Sequence, residues 1–211
     1  MQGPQSYLDE MTRTEPFSLF GKCREKAFTM TSIALLRGIN VGGKKAVRMA
    51  DLVALMHSLH AANVRSYLQS GNVVFDHDRA APAELSRSME RAIKRKFGLD
   101  VSVIVRTAEE MQSIVSDNPL LQTQGIDAER LQVTFLKDIP QNPDVSYFEA
   151  VKDARELLRI HGKEIYLFCP DGYGRTKLSN QAFEKKLGAT ATTRNWKTVK
   201  VLGEMSKGSQ S

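Results

Sequence analysis

From Ser32 onward, apolar and polar positions recur in runs whose period changes several times along the chain. Ile33 to Leu36 is a short apolar strand, followed by a turn-rich loop, Arg37 to Lys45, carrying Gly38, Gly42 and Gly43. Met49, Leu52, Val53, Leu55, Met56 and Leu59 fall on one stripe, which predicts a helix. Val64 to Leu68 and Val73 to Phe75 predict strands on either side of Ser70-Gly71-Asn72, where glycine tolerates the positive φ of a tight hairpin. Leu85, Met89, Ile93 and Phe97 recur every four residues, and Gly98 stands where a helix C-cap needs it. Val101 to Val105 closes the set as a β-branched strand. The order is β-α-β-β-α-β, the split pattern of a ferredoxin-like half.

Thr107-Ala108-Glu109-Glu110 reads as a capping box opening a connecting helix that ends before Asn118-Pro119. After a linker at 119–129 the same grammar restarts. Strand Leu131 to Leu136 leads to a helix around Tyr147 to Ala154, strands near Leu157 to Ile160 and Ile165 to Phe168, and a helix from about Lys177 to Leu187. His161-Gly162-Lys163 takes the place of the first hairpin turn. Ala189 to Thr193 predicts a last strand and Asn195 to Met205 a last helix carrying Trp196, Val199 and Leu202. The expected fold is therefore α+β with two ferredoxin-like halves, 30–118 and 130–205, related by an internal duplication, with a C-terminal helix and a tail at 206–211. Residues 1–29 show neither period and are broken by Pro4, Pro16 and Gly21, so they are expected to lie outside the main fold, poorly ordered.

Composition narrows the class. A chain of 211 residues with 41% hydrophobic and 26% charged residues is globular rather than fibrous or disordered, and it holds no apolar run of the length a membrane span needs. The start of the chain lacks a secretory signal's apolar core, so the expected compartment is the cytoplasm. Two cysteines, Cys23 and Cys169, far apart in sequence, argue against a disulfide framework, and four scattered histidines argue against a metal site; no cofactor is expected. The net charge of +6 sits at one end: residues 172–211 hold 8 basic and 2 acidic side chains, a difference of 6, so the rest of the chain is neutral. That end is a candidate basic patch.

Four segments carry candidate chemistry. In the first, a strand runs into a glycine-rich loop in which Arg37, Asn40, Gly42, Gly43 and Lys44 offer backbone and cationic donors for an anion, although the spacing fits neither a P-loop nor a dinucleotide fingerprint. The second is the hairpin tip with Ser70 and Asn72. The third joins a strand to a helix through Arg175, Thr176 and Lys177, with Thr176 placed to cap the helix beside two glycines. The fourth, Thr190 to Thr198, concentrates hydroxyls with Arg194, Asn195 and Trp196. Each has a purely structural counterpart reading: a turn, a cap, or, for Trp196, a core anchor. Apart from Asp171 these segments contain no carboxylate, histidine or cysteine, so they offer donors without bases.

The stretches LLRGINVGGKK, YLQSGNVVF, Asn118-Pro119, VTFL, GYGRTKL and TTRNWKT, in this order across about residues 30 to 205, resemble the bacterial family catalogued as domain of unknown function 1697. The chain departs from that pattern at Thr176, where the family has serine, and at Leu120, where it has an aromatic residue. The resemblance implies an α+β fold of ferredoxin-like character and supplies no activity. The expected function is binding of a phosphate-bearing ligand, nucleotide or nucleic acid, in a cleft lined by the glycine-rich and Arg/Lys-rich loops. Two alternatives stay open: an enzyme acting on a small anionic metabolite, and a non-catalytic interaction protein that docks through its basic patch.

Overall fold

The computed structural model describes residues 29–207 apart from Gly43, Lys44, Arg79 and Asn142. The expectation for residues 1–29 therefore falls almost wholly outside the described residues, as do Cys23 and the candidate site residues Gly43 and Lys44.

The first half runs β1 (Thr29–Leu36), α1 (Met49–Ser58), β2 (Ala62–Tyr67), β3 (Asn72–Asp78), α2 (Pro82–Phe97) and β4 (Val103–Thr107), followed by α3 (Ala108–Ser116). The second runs β5 (Leu131–Leu136), α4 (Val145–Val151), β6 (Leu157–His161), β7 (Glu164–Phe168), α5 (Asn180–Leu187) and β8 (Ala191–Asn195), followed by α6 (Trp196–Ser206). Each half forms a four-stranded antiparallel sheet, in the orders β2-β3-β1-β4 and β6-β7-β5-β8. These are the same order, with the first strand of each half between its third and fourth. The fold is α+β with two similar ferredoxin-like halves and a C-terminal helix.

Local chemistry accounts for the ends of the elements. Pro82 stands at the start of α2 and Gly98 closes it at φ 69°, a left-handed value that glycine reaches without steric cost. Thr107 and Glu110 form the capping box of α3, and Asn195 caps α6 by accepting the Thr198 N–H. At the first hairpin, Gly71 has φ 75°, and a Cβ there would lie 2.8 Å from that of Leu36, so both conformation and space demand glycine. One boundary differs from expectation. The helix expected from Lys177 begins at Asn180 and is capped by Ser179, because Tyr173–Arg175 form a separate 3-10 turn; Thr176 instead accepts the Leu178 N–H.

Three apolar clusters follow from strand alternation. One face of the first sheet, through Ala34, Leu36, Val73 and Phe75, packs on α1 and α2. The corresponding face of the second sheet packs on α4 and α5 around Phe148 and Phe183. The opposite faces, with Ile33, Leu35 and Val74 from one sheet and Leu131, Val133 and Phe135 from the other, share a central cluster with α3 and α6. Trp196 is buried there, as a core anchor. Gly203 lets α6 approach α3, since a Cβ at that position would sit 3.0 Å from Val115. Among the described residues, no helix is long and apolar enough to cross a membrane.

Candidate functional site

Strand register relates the halves residue by residue. Ile33 pairs with Arg106 at the end of β4, and Val133 pairs with Arg194 at the end of β8, so the two arginines occupy equivalent places, each followed by a helix cap. Each crosses into the opposite half. Arg194 donates from Nε to Asn72 Oδ1 at 2.5 Å, and from Nη2 to the carbonyls of Leu36 and Ser70 at 2.9 and 3.1 Å. Its Nη1 donates to Thr192 Oγ1 and the Thr193 carbonyl. Arg106 mirrors this, donating to Glu164 at 2.8 Å and to the carbonyls of Leu136 and Lys163 at 2.7 and 3.3 Å.

A second reciprocal pair lies alongside. Glu184 on α5 accepts the Ala191 N–H of its own half and, at 2.6 and 2.7 Å, both ends of the Arg37 fork. Glu90 on α2 accepts the Val103 N–H and, at 2.6 Å, Lys137. Burial alone would raise the Glu184 pKa, but the hydrogen bonds from Arg37 and Ala191 outweigh it and hold the carboxyl below its ordinary value.

The four candidate segments thus meet, through contacts that are largely structural. Arg37 is clamped by Glu184, and Tyr173 from the third segment lies close to it. The Tyr173 hydroxyl is 2.9 Å from Thr193 Oγ1, itself bonded to Asn180 and Thr134. Asn40, at φ 56°, donates to the carbonyls of Val47 and Gln69 and accepts the Val47 N–H, tying the glycine-rich loop to the hairpin tip. Asn72 is fully buried and also donates to the Tyr67 carbonyl and to Ser70 Oγ. Arg194 has no N–H left for a ligand. Desolvation pulls its pKa down to about 10, still far enough above neutrality to keep it charged. Asn195 is occupied as a cap, and Gly42, at φ 58°, is exposed.

Arg175 and Lys177 stand apart from this knot. Both are exposed, and among the described residues neither side chain has an ion-pair partner. With Thr176 they line a cleft of about 420 Å³ whose facing wall is the α4–β6 connection, including Lys152, Asp153 and Glu156. Cys169 lies behind Thr176 and Glu156; burial, and next the Glu156 charge, push its thiol up to about 12, so it is protonated and inert at neutral pH. The helix start assigned to Thr176 is displaced to Ser179, which removes the α5 dipole as direct support for an anion at Arg175. Among the described residues, no group of three or more His, Cys, Asp or Glu side chains is arranged to hold a metal ion.

Residues 30–166 match the family described as "Protein of unknown function (DUF1697)". The chain belongs to this family. No curated protein matches the sequence. Among solved structures, the DUF1697 chain is similar to the conserved bacterial protein SP0830 from Streptococcus pneumoniae, with a TM-score of 0.65 and 24% identity over 84% of this chain and 98% of that one. At that identity the likeness concerns the fold alone. Within the DUF1697 chain, the residues that sequence pattern did not single out are those of the reciprocal contact, made from the first half into the second. Arg106, Lys137 and Lys163 stand opposite the motif residues Arg194, Arg37 and Gly71. The signal lay in the repeat itself: a basic residue after each first strand, and an Arg followed by a capping residue at the end of each last strand.

Proposed function

We propose that the protein binds a phosphate-bearing ligand, nucleotide or nucleic acid, through the Arg175–Lys177 segment. The observation that carries this reading is the pair of uncommitted cations on one wall of a polar cleft. Arg37, Arg106 and Arg194 are spent on the protein itself, whereas Arg175 and Lys177 have no ion-pair partner among the described residues, which leaves their donors for phosphate oxygens. Thr176 stands between them in the chain, and Lys152, paired with Glu149, lines the facing wall. The cleft offers binding groups without a base poised beside a nucleophile, which favours recognition over hydrolysis.

Calorimetric titration with nucleoside monophosphates and short single-stranded oligonucleotides tests this reading. Saturable binding is expected, weakened about tenfold by the double variant Arg175→Ala/Lys177→Ala, as the loss of two partly exposed charge contacts implies. Binding that falls steeply with added salt identifies nucleic acid, and binding confined to mononucleotides identifies the small ligand. Absence of saturation with either probe, or unchanged affinity in the double variant, overturns it.

A further inference from the structure

Helix α3 faces the β6–β7 hairpin across a cleft of about 330 Å³, lined by Glu109, Ser113 and Asp117 on the helix and by His161, Glu164 and Tyr166 on the hairpin. The volume is within the range of small-molecule sites. The internal repeat shows what sets this place apart. Ile33 pairs with Val74 as Val133 pairs with Tyr166, so Tyr166 is the counterpart of Val74. Counted from the capping residues Thr107 and Asn195, Asp117 is the counterpart of Met205. Val74 and Met205 both pack in the central apolar cluster. Where one half has that apolar pair, the other has a phenol and a carboxylate.

The helix ends differ as well. Arg65 donates to the Met205 carbonyl at 2.8 Å and closes the end of α6. Its counterpart by register, Arg159, donates to the Leu158 carbonyl of its own strand. Helix α3 has no basic residue in its last turn, so Asp117 adds a carboxylate to an end whose dipole is already negative. Glu110 is paired with Lys163 and Glu164 with Arg106, whereas Glu109 and Asp117 have no ion-pair partner among the described residues. Hydrogen bonds, chiefly from its own backbone, hold the Glu109 carboxyl below its ordinary value.

Tyr166 makes this more than a group of acids. Its relative exposure is 2%, and its hydroxyl has no hydrogen-bond partner among the described residues. Among those residues, the sealed side-chain polar atom without a partner is Asn118 Nδ2, so the Tyr166 hydroxyl is not sealed. What stays open of this side chain is therefore its polar tip, at the cleft. Burial first, then the charges of Glu164 and Asp117, push the phenol up to about 12, which keeps it a neutral hydroxyl beside two carboxylates. Glu164 gives Oε1 to Arg106 at 2.8 Å and Asp117 gives Oδ1 to the Ser116 hydroxyl at 2.7 Å; the second oxygen of each has no described partner.

A metal ion is a poor match, because among the described residues no group of three or more His, Cys, Asp or Glu side chains is arranged to hold one. An ammonium group suits the place: its three N–H donors meet three acceptors, the Tyr166 hydroxyl and one oxygen each of Asp117 and Glu164. Glu109, about two turns before Asp117 and so about 12 Å away along α3, is a second anchor on the same wall. We infer that this cleft binds a linear polyamine, with one terminal ammonium among Tyr166, Asp117 and Glu164 and the other at Glu109. The site shares no residue with the Arg175 cleft, and the two readings stand or fall separately.

The test is a titration of the isotope-labelled protein with spermidine, a linear triamine long enough to span the two anchors, followed by amide chemical shifts. Salt at about 0.15 M screens diffuse surface attraction. Saturable shifts are expected at Glu109, Ser113, Asp117 and Tyr166, with a Kd of about 1 mM or tighter, in keeping with the contribution per atom of a ligand this small. Tyr166→Phe removes a hydroxyl and no charge, so it should weaken binding about tenfold or more while the thermal midpoint stays in place, since that hydroxyl has no partner to lose. Asp117→Asn, at an exposed position, reads the same site without touching the core and should also weaken binding about tenfold. Propylamine, with a single ammonium, should bind several-fold more weakly, and magnesium chloride at the same concentration should leave these amides unmoved. Absence of saturable shifts, affinity unchanged by Tyr166→Phe or by Asp117→Asn, equal affinity for propylamine, or equal shifts with magnesium each overturns the inference.

Discussion

At the scale of a residue, Arg194 shows how a charge is kept inside a protein without a carboxylate beside it. Its relative exposure is 8%, and each N–H finds a neutral acceptor, three of the five contacts with residues at or beyond the strand ends of the first half. Removing the guanidinium orphans the carbonyls of Leu36 and Ser70 and the amide oxygen of Asn72. Arg194→Met should therefore cost at least about 2 kcal/mol, lowering the thermal midpoint by roughly 4–8 °C for a chain of this size. Arg175→Ala, an exposed change with no described partner lost, should move the midpoint little. A calorimetric scan of both variants checks the contrast, and equal midpoints would show that Arg194 is not a strut. The segment around Arg194 is rich in hydroxyls and amides, a content that suits a ligand site and an internal hydrogen-bond knot equally. What separates the two is the position of Leu36, Ser70 and Asn72, more than a hundred residues away in sequence, and no local pattern carries that information.

At the scale of elements, the straps from α2 and α5 to the opposite half make stability depend on pH in a defined direction. The folded pKa of Glu184 lies below its ordinary value of 4.5. Its stabilisation is thus fully present above the unfolded pKa and is lost as pH falls through the folded one. The midpoint difference between the wild type and Glu184→Gln should be largest near neutrality and shrink on acidification below about pH 4.5. A constant difference from pH 7 to pH 3 would show that the Arg37 fork contributes nothing through the carboxylate charge. Element type and order were legible from periodicity, because amphipathic stripes and strand alternation are local. Helix α5 was misplaced at its start because Thr176 and Ser179 are both good capping residues. The choice was made by the 3-10 turn at Tyr173–Arg175, which follows from Tyr173 docking against Thr193, a long-range contact.

At the scale of the molecule, the central cluster belongs to both halves at once. Ile33, Leu35, Val74 and Ile104 of the first sheet are buried only because Leu131, Val133, Phe135, α3 and α6 cover them. Thermal or urea unfolding of the whole chain should accordingly show one transition, with fluorescence of the single Trp196 and far-ultraviolet circular dichroism coinciding. A fragment comprising residues 30–118 should fail to fold as a monomer, since its second sheet face would keep α3 but lose the cover of α6 and the second sheet. Two resolved transitions, or a cooperatively folded monomeric fragment, would show that the halves are independent.

The exchange of Arg106 and Arg194 has the form of an isologous contact, in which residue i of one copy meets residue j of the other and the reverse. In a true two-fold dimer every substitution appears twice, so a side chain that closed one recess would close both. Joining the copies in one polypeptide lifts that constraint. The longer connection before α5 therefore seats Tyr173 against the Thr193 hydroxyl on one side, whereas Val105, the residue in register with Thr193 on the other, has no hydroxyl to offer a partner.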